Sequence, residues 1–95
     1  MSTNGQSHVN DAKALAEIQR LARLGRISIT PHALRRMDER DVTEPDVRWA
    51  LLTATAALRQ ADRDNWRVEG GVDTVGDELT LICDLEADVI VVTLF

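Results

Sequence analysis

Apolar residues in the first two thirds of the chain recur at every third or fourth position, as they do on one face of a helix. Typical start and stop residues separate these runs. Thr30-Pro31 and Thr43-Glu44-Pro45-Asp46 favour helix starts, and Gly25 favours a helix end. The pattern therefore predicts three helices, with a short extended segment at Ile27-Ser28-Ile29; the helices are placed at residues 11–24, 31–40 and 44–57.

The last third of the chain changes to an alternation of apolar and polar residues, which is the period of a β-strand. Strands are predicted at 79–85 and 89–95, near Trp66, and more weakly at 57–62. We therefore expect an α+β domain in which N-terminal helices pack on one face of a three- to four-stranded antiparallel sheet. The nearly continuous apolar residues of 89–95 predict that this strand lies inside the sheet.

Length and composition allow one such domain, at residues 10–95, with a single modest core. Residues 1–9 are polar and predict a disordered tail that lacks the basic and apolar parts of a signal peptide. Cys83 is the single cysteine, which fits a reducing compartment. Phosphate-binding loops, paired cysteines and a membrane-spanning apolar run are absent from the sequence. We expect a cytoplasmic protein without membrane, metal or cofactor.

The charges are unevenly distributed along the chain. All 11 basic residues precede residue 68, where they accompany nine acids, whereas residues 68–95 carry seven acids and no base. This asymmetry predicts two surfaces with different partners, and phosphate should avoid the acidic one. A solvated surface of mixed charge is the alternative interpretation.

The second predicted helix contains the residues best suited to chemistry. His32, Arg36 and Arg40 are four positions apart, so they lie within a sector of ~80° on one side of a helix. The positive end of the helix dipole favours a neutral imidazole at His32. Such an imidazole can take the proton of a ribose 2′-hydroxyl while two guanidinium groups stabilise the phosphate. The alternative is a solvated helix on which the arginines pair with nearby acids.

The run from His32 to Thr43 resembles a bacterial family pattern, His-x-x-x-Arg-Met-x-x-Arg-Gly-Ile-Thr, whose family is placed in the RelE-like toxin superfamily (the barnase–EndoU–colicin–RelE fold). Three later segments are similar to the rest of that pattern, so that the resemblance covers roughly residues 27–95: Trp66–Gly70, Asp77–Leu81 and Val89–Thr93. The chain departs from the family in its acidity, its lack of tyrosine and Asp41, which replaces the usual glycine.

The resemblance implies a toxin-like, metal-independent endoribonuclease of a toxin–antitoxin system, with mRNA as substrate and an antitoxin as protein partner. The His–Arg–Arg row would be catalytic. The residues expected to contact the RNA are Arg35, Arg67 and Thr93. The first predicted helix, outside the resemblance, is expected to serve packing or a homodimer. The alternative is a noncatalytic protein-binding or regulatory module with the same fold, which the acidity and the scarcity of aromatic residues favour.

Overall fold

The computed structural model describes the backbone of residues 3–95 and the side chains of residues 10–95. The disordered tail predicted for residues 1–9 lies outside the fully described part of the chain. The elements follow in the order α1 (Thr3–Arg23), β1 (Ile27–Ile29), α2 (Pro31–Arg40), α3 (Glu44–Thr53), β2 (Ala56–Gln60), β3 (Asn65–Glu69), β4 (Leu81–Leu85) and β5 (Val89–Leu94). Within residues 3–95, no helix combines the length and the apolarity needed to cross a bilayer.

The strands form one sheet in the order β1-β5-β4-β3-β2. From β2 to β5 all neighbours are antiparallel, and β1 pairs with β5 in parallel. The predicted α+β class is confirmed, and β5 lies inside the sheet between β1 and β4, as expected. The sheet has five strands and is mixed because Ile27–Ile29 joins it, a pairing that a segment of three residues does not reveal by its own pattern.

The core lies between the helices and one face of the sheet. Each helix contributes side chains to it, and every second residue of the strands contributes a side chain from the sheet. The residues that are at most 2% exposed include Ile18, Leu21, Ala33, Val47, Leu51, Val68, Leu81, Val91 and Leu94. Full burial of each large apolar side chain contributes about 1.5–3 kcal/mol, so this single cluster is the main source of stability.

Two predicted helix ends differ from the structure. α3 ends at Thr53 rather than at residue 57, because Ala54 has an extended backbone (φ −56°, ψ 145°) and the next residues pair with β3. The alanines there favour helix, but strand pairing outweighs that weak preference. α1 begins at Thr3 rather than at residue 11.

α1 and α3 each satisfy the free carbonyl groups at the other's C-terminal end. Nε2 of Gln19 donates to the carbonyl oxygens of Leu51, Leu52 and Ala54 at 3.0–3.2 Å. Nε of Arg48 donates to the carbonyl oxygen of Ala22 at 3.0 Å. Because unpaired terminal carbonyls are costly when covered by protein, these contacts fix the relative positions of the two helices.

Candidate functional site

α2 is an unbroken helix whose start is defined by Thr30 and Pro31. Oγ1 of Thr30 accepts a hydrogen bond from the backbone N–H of Ala33 at 3.1 Å, and it donates to the carbonyl oxygen of Val92 at 2.9 Å. The first contact caps the helix and the second attaches it to β5. A continuous helix keeps His32, Arg36 and Arg40 along one side.

Arg36 has structural partners on that side. Its Nε donates to the carbonyl oxygen of Leu94 at 3.3 Å, and its Nη1 pairs with Oε1 of Glu39 at 3.2 Å. The paired residues of β1 end at Ile29, so the guanidinium group supplies a donor to β5 beyond the end of that strand. Arg36 therefore helps to attach α2 to the end of β5, whatever else it does.

His32, Arg35 and Arg40 are exposed. Within residues 10–95, none of their side chains makes a hydrogen bond or an ion pair. The side of α2 that carries the predicted catalytic row is thus an open basic surface.

The other two predicted contact residues lie on the sheet. Arg67 is opposite Ile82, and Ile82 is opposite Thr93, so the three form a row across β3, β4 and β5. The guanidinium group of Arg67 lies 5.2 Å from the centre of the Phe95 ring and pairs with Glu69 at 2.9 Å. Val68, next to Arg67, is buried in the core, so Arg67 faces the side of the sheet away from the helices.

These two sets of predicted residues are linked through the C-terminal end of β5. Arg36 bonds to Leu94, and Arg67 lies over the ring of Phe95. Thr93 is half-buried, and Arg67 is held by Glu69 and Phe95. The structure therefore shows neighbouring surfaces, without an enclosed pocket formed by all six residues.

A groove of about 610 Å³ lies between β1, α2 and α3 and contains none of these six residues. Leu34 and Trp49 line it and are 49% and 46% exposed. The buried residues of α2 are Ala33 and Met37, so Leu34 lies off the side of the helix that faces the core. The other lining residues are Gly25, Ile27, Ile29, Glu44, Pro45, Arg48 and Thr74.

The groove was missed in the sequence, although a signal for it exists. On α3 the buried stripe consists of Val47, Ala50 and Leu51, and Trp49 lies off that stripe. A large apolar residue off the buried face of a helix indicates a second contact surface. Leu34 gives the same signal on α2.

Asp46 holds one wall of the groove in place. Its Oδ2 accepts from the backbone N–H and the hydroxyl of Thr43, both at 2.9 Å. The backbone N–H of Asp46 in turn donates to Oγ1 of Thr43, so the two residues form a capping box. Oδ1 of Asp46 accepts from Thr74, which the sequence did not reveal. The hydroxyl of Thr74, followed by the backbone N–H groups of Thr43 and Thr74, holds the pKa of Asp46 well below its ordinary range. The carboxylate stays charged and keeps Thr74 beside Pro45.

β1 presents a free edge next to the groove. The carbonyl oxygen of Arg26 accepts from the N–H of Val89 at 3.0 Å, and the N–H of Thr30 donates to the carbonyl oxygen of Val91 at 3.1 Å. In a parallel ladder alternate residues face the same neighbour, so Ser28 also faces β5. Ile27 and Ile29 therefore direct their backbone N–H and C=O groups away from β5, where no further strand of the described chain lies.

The described residues include neither a cluster of metal ligands nor an accessible thiol. Among the side chains of residues 10–95, no three His, Cys, Asp or Glu residues come together as a metal site requires. Cys83 is fully buried. Burial, with the nearby charge of Asp84, raises the pKa of its thiol far above the ordinary value, so it stays protonated.

Comparisons with protein-family models, with curated proteins and with solved structures gave no match to this chain. The RelE-like resemblance accordingly stays a prediction. The case for a function rests on the residues and on the geometry of the two surfaces, the basic side of α2 and the groove beside β1.

Proposed function

We propose that this chain is a small protein-binding module whose partner docks in the groove between β1, α2 and α3. The observation that carries the proposal is the free edge of β1 beside a groove lined by the half-exposed side chains of Leu34 and Trp49. Apolar concave surfaces with few polar groups are typical binding sites, and tryptophan is enriched among the residues that dominate binding energy.

The polar residues of the groove favour binding over catalysis. Arg48 donates to the carbonyl oxygens of Ala22 and Arg23, and the side chain of Thr74 donates to Asp46. Both are therefore engaged in holding the walls together. Glu44 has no neighbouring His, Cys or Lys in the lining to form a nucleophile–base pair. The groove has the composition of a docking surface.

Selection from a displayed library of random peptides tests this function. We expect enriched peptides to bind the wild type and to lose about tenfold or more in affinity for Trp49→Glu and for Leu34→Glu, since each change puts a charge into the apolar lining. Leu58→Glu is the matched control, because Leu58 is 41% exposed on β2 and lies opposite Arg67. A selection that enriches no peptide, or peptides that bind all four proteins equally, would exclude the groove as a docking site.

A toxin-like endoribonuclease is the second candidate, favoured by one observation. α2 is unbroken and keeps His32 and Arg40 exposed on the same side as Arg36. On this proposal His32 removes the 2′-hydroxyl proton, the arginines stabilise the phosphate, and Arg35, Arg67 and Thr93 contact mRNA. An antitoxin would then be the natural occupant of the groove, in the cytoplasm.

Induced expression of the wild type and of His32→Ala tests this candidate, with growth and RNA integrity as readouts. Loss of RNA cleavage in His32→Ala, with cleavage by the wild type in the presence of a chelator, is the expected result. Asp62→Ala, an exposed change far along the chain, serves as control. Intact RNA in cells that express the wild type, or equal cleavage by His32→Ala, would exclude the mechanism.

A further inference from the structure

We propose that the partner in the groove is an extended peptide segment of alternating apolar and acidic residues, which pairs with β1 and adds a strand to the sheet. This inference rests on the proposed protein-binding function and names the chemistry of its partner. Three features lead to it: the backbone of β1, the apolar wall beneath it and the charge around it.

On its free side, β1 has backbone N–H and C=O groups that pair with no other strand of the described chain. Ile27 and Ile29 direct their N–H and C=O groups toward the free side of the sheet. Neither backbone has another hydrogen-bond partner among the described residues. An extended segment laid beside β1 satisfies these groups, which is how peptides bind to sheet edges in general.

The groove fixes the side-chain pattern of the segment. In a strand, successive side chains point to opposite faces of the sheet. Those on the helix side of an added strand meet Ile27, Ile29, Leu34 and Trp49, so they must be apolar. The others point to the opposite face and to solvent, where polar residues are favoured.

The charge of the surrounding chain sets the sign of those polar residues. Residues 20–36, which include the end of α1, β1 and the first half of α2, carry five arginines and no acid. Three of these arginines pair with acids outside the segment: Arg20 with Glu17, Arg26 with Asp88 and Arg36 with Glu39. Arg23 and Arg35 are exposed and have no carboxylate partner in the described part, so the unpaired charges of the segment are positive, against the single acid Glu44 in the groove lining. Acidic residues are therefore attracted to this edge and basic ones repelled. A second copy of the chain is disfavoured, because two arginine-rich edges would face each other.

Amide hydrogen exchange measured by NMR tests the geometry in the free protein. Ser28 and Thr30 should exchange slowly, because both bond to β5, and Ile27 and Ile29 should exchange faster. A capped peptide that alternates valine and glutamate is then added. At a concentration of about ten times its Kd, exchange at Ile27 and Ile29 should slow about tenfold, while the same peptide with lysine for glutamate should leave it unchanged.

Two N-methylated forms of the peptide separate strand pairing from side-chain contact. One is methylated at the valines and the other at the glutamates. Because alternate N–H groups of an extended peptide point to opposite edges, each form lacks the N–H donors along one edge of the peptide. We expect one form to bind like the parent peptide and the other to lose binding. Equal affinity of both forms, or equal affinity of the lysine peptide, would overturn the inference.

Other occupants give distinct results. A dimer of the free protein in which Ile27 and Ile29 are already protected would show a second copy at this edge, and protection by an oligouridylate would show RNA there. Either result overturns the peptide assignment. If library peptides depend on Trp49 while the valine–glutamate peptide does not bind, the docking function stands and this inference fails. If neither kind of peptide depends on Trp49, both fail.

Discussion

Thr74 donates twice to Asp46: its backbone nitrogen lies 3.0 Å, and its hydroxyl oxygen 2.5 Å, from Oδ1 of that carboxylate. The other carboxylate oxygen accepts hydrogen bonds from the backbone N–H and the hydroxyl of Thr43, at the start of α3. One side chain therefore joins the N-terminal end of a helix to a loop 28 residues further along the chain. Because Thr74 and Pro45 line the groove, this contact sets the groove's shape.

Asp46→Asn should lower the stability of the fold. Both oxygens of Asp46 accept from backbone N–H groups, and an asparagine must turn its own NH₂ group toward one of them. Because the folded state lowers the pKa of Asp46, its contribution is present above the ordinary pKa of about 3.9 and is lost as the pH falls below it.

Urea unfolding at neutral pH and at about pH 3 measures this effect, since these values lie on either side of the ordinary aspartate pKa. We expect the gap between the wild-type and Asp46→Asn midpoints to be clear at neutral pH and to narrow in acid. Asp62→Asn, an exposed change, is the control and should show no gap. A gap of the same size at both pH values would contradict the role of the charged form.

Gly71→Ala should destabilise the protein by about 1–3 kcal/mol, the usual cost of overpacking. A Cβ at residue 71 would overlap the carbonyl oxygen of Ala50 in α3. Gly76→Ala is the matched control: its Cβ meets open space, and its φ of +94° alone carries a strain of about 1 kcal/mol. Thermal or urea unfolding of the two variants and the wild type measures the loss of stability in each. A smaller loss for Gly71→Ala than for Gly76→Ala would mean that the loop and α3 do not pack as described.

Asp41→Gly should stabilise the protein by roughly 0.5–1 kcal/mol. Asp41 ends α2 in the left-handed conformation (φ 56°, ψ 44°), which glycine adopts without strain. It also places a negative charge at the negative end of the helix dipole. Asp38→Gly, inside the same helix, should have the opposite effect, a loss of about 1 kcal/mol. Urea midpoints that move in the same direction for both variants would refute the assignment of Asp41 as the helix end.

Local signals in the sequence predicted the elements that local interactions define. Thr30-Pro31 and the box of Thr43 with Asp46 define helix starts by contacts within three residues, and both are confirmed. The pairing of Ile27–Ile29 with β5 joins segments about 60 residues apart. No local pattern contains that information, so the fifth strand and its free edge became visible in the structure alone.

The candidate site divides in the same way. Helical spacing predicted that His32 and Arg40 share one side of a helix, and α2 is continuous over both residues. It did not reveal that Arg36 donates a hydrogen bond to the carbonyl oxygen of Leu94. That acceptor lies beyond the point where the pairing of β1 with β5 ends, which only the sheet topology shows. Nor could helical spacing separate the buried Met37 from the exposed Leu34, since the choice depends on how α2 meets the sheet.

The affinity of the valine–glutamate peptide, measured by calorimetry for the wild type, Trp49→Glu and Leu58→Glu, tests the central claim most directly. The account predicts equal Kd values for the wild type and Leu58→Glu, and a Kd about tenfold or more higher for Trp49→Glu, as expected when a central apolar contact is lost. Equal Kd values for all three proteins, or no measurable binding to the wild type, would contradict the claim that an acidic extended segment docks in the groove beside β1.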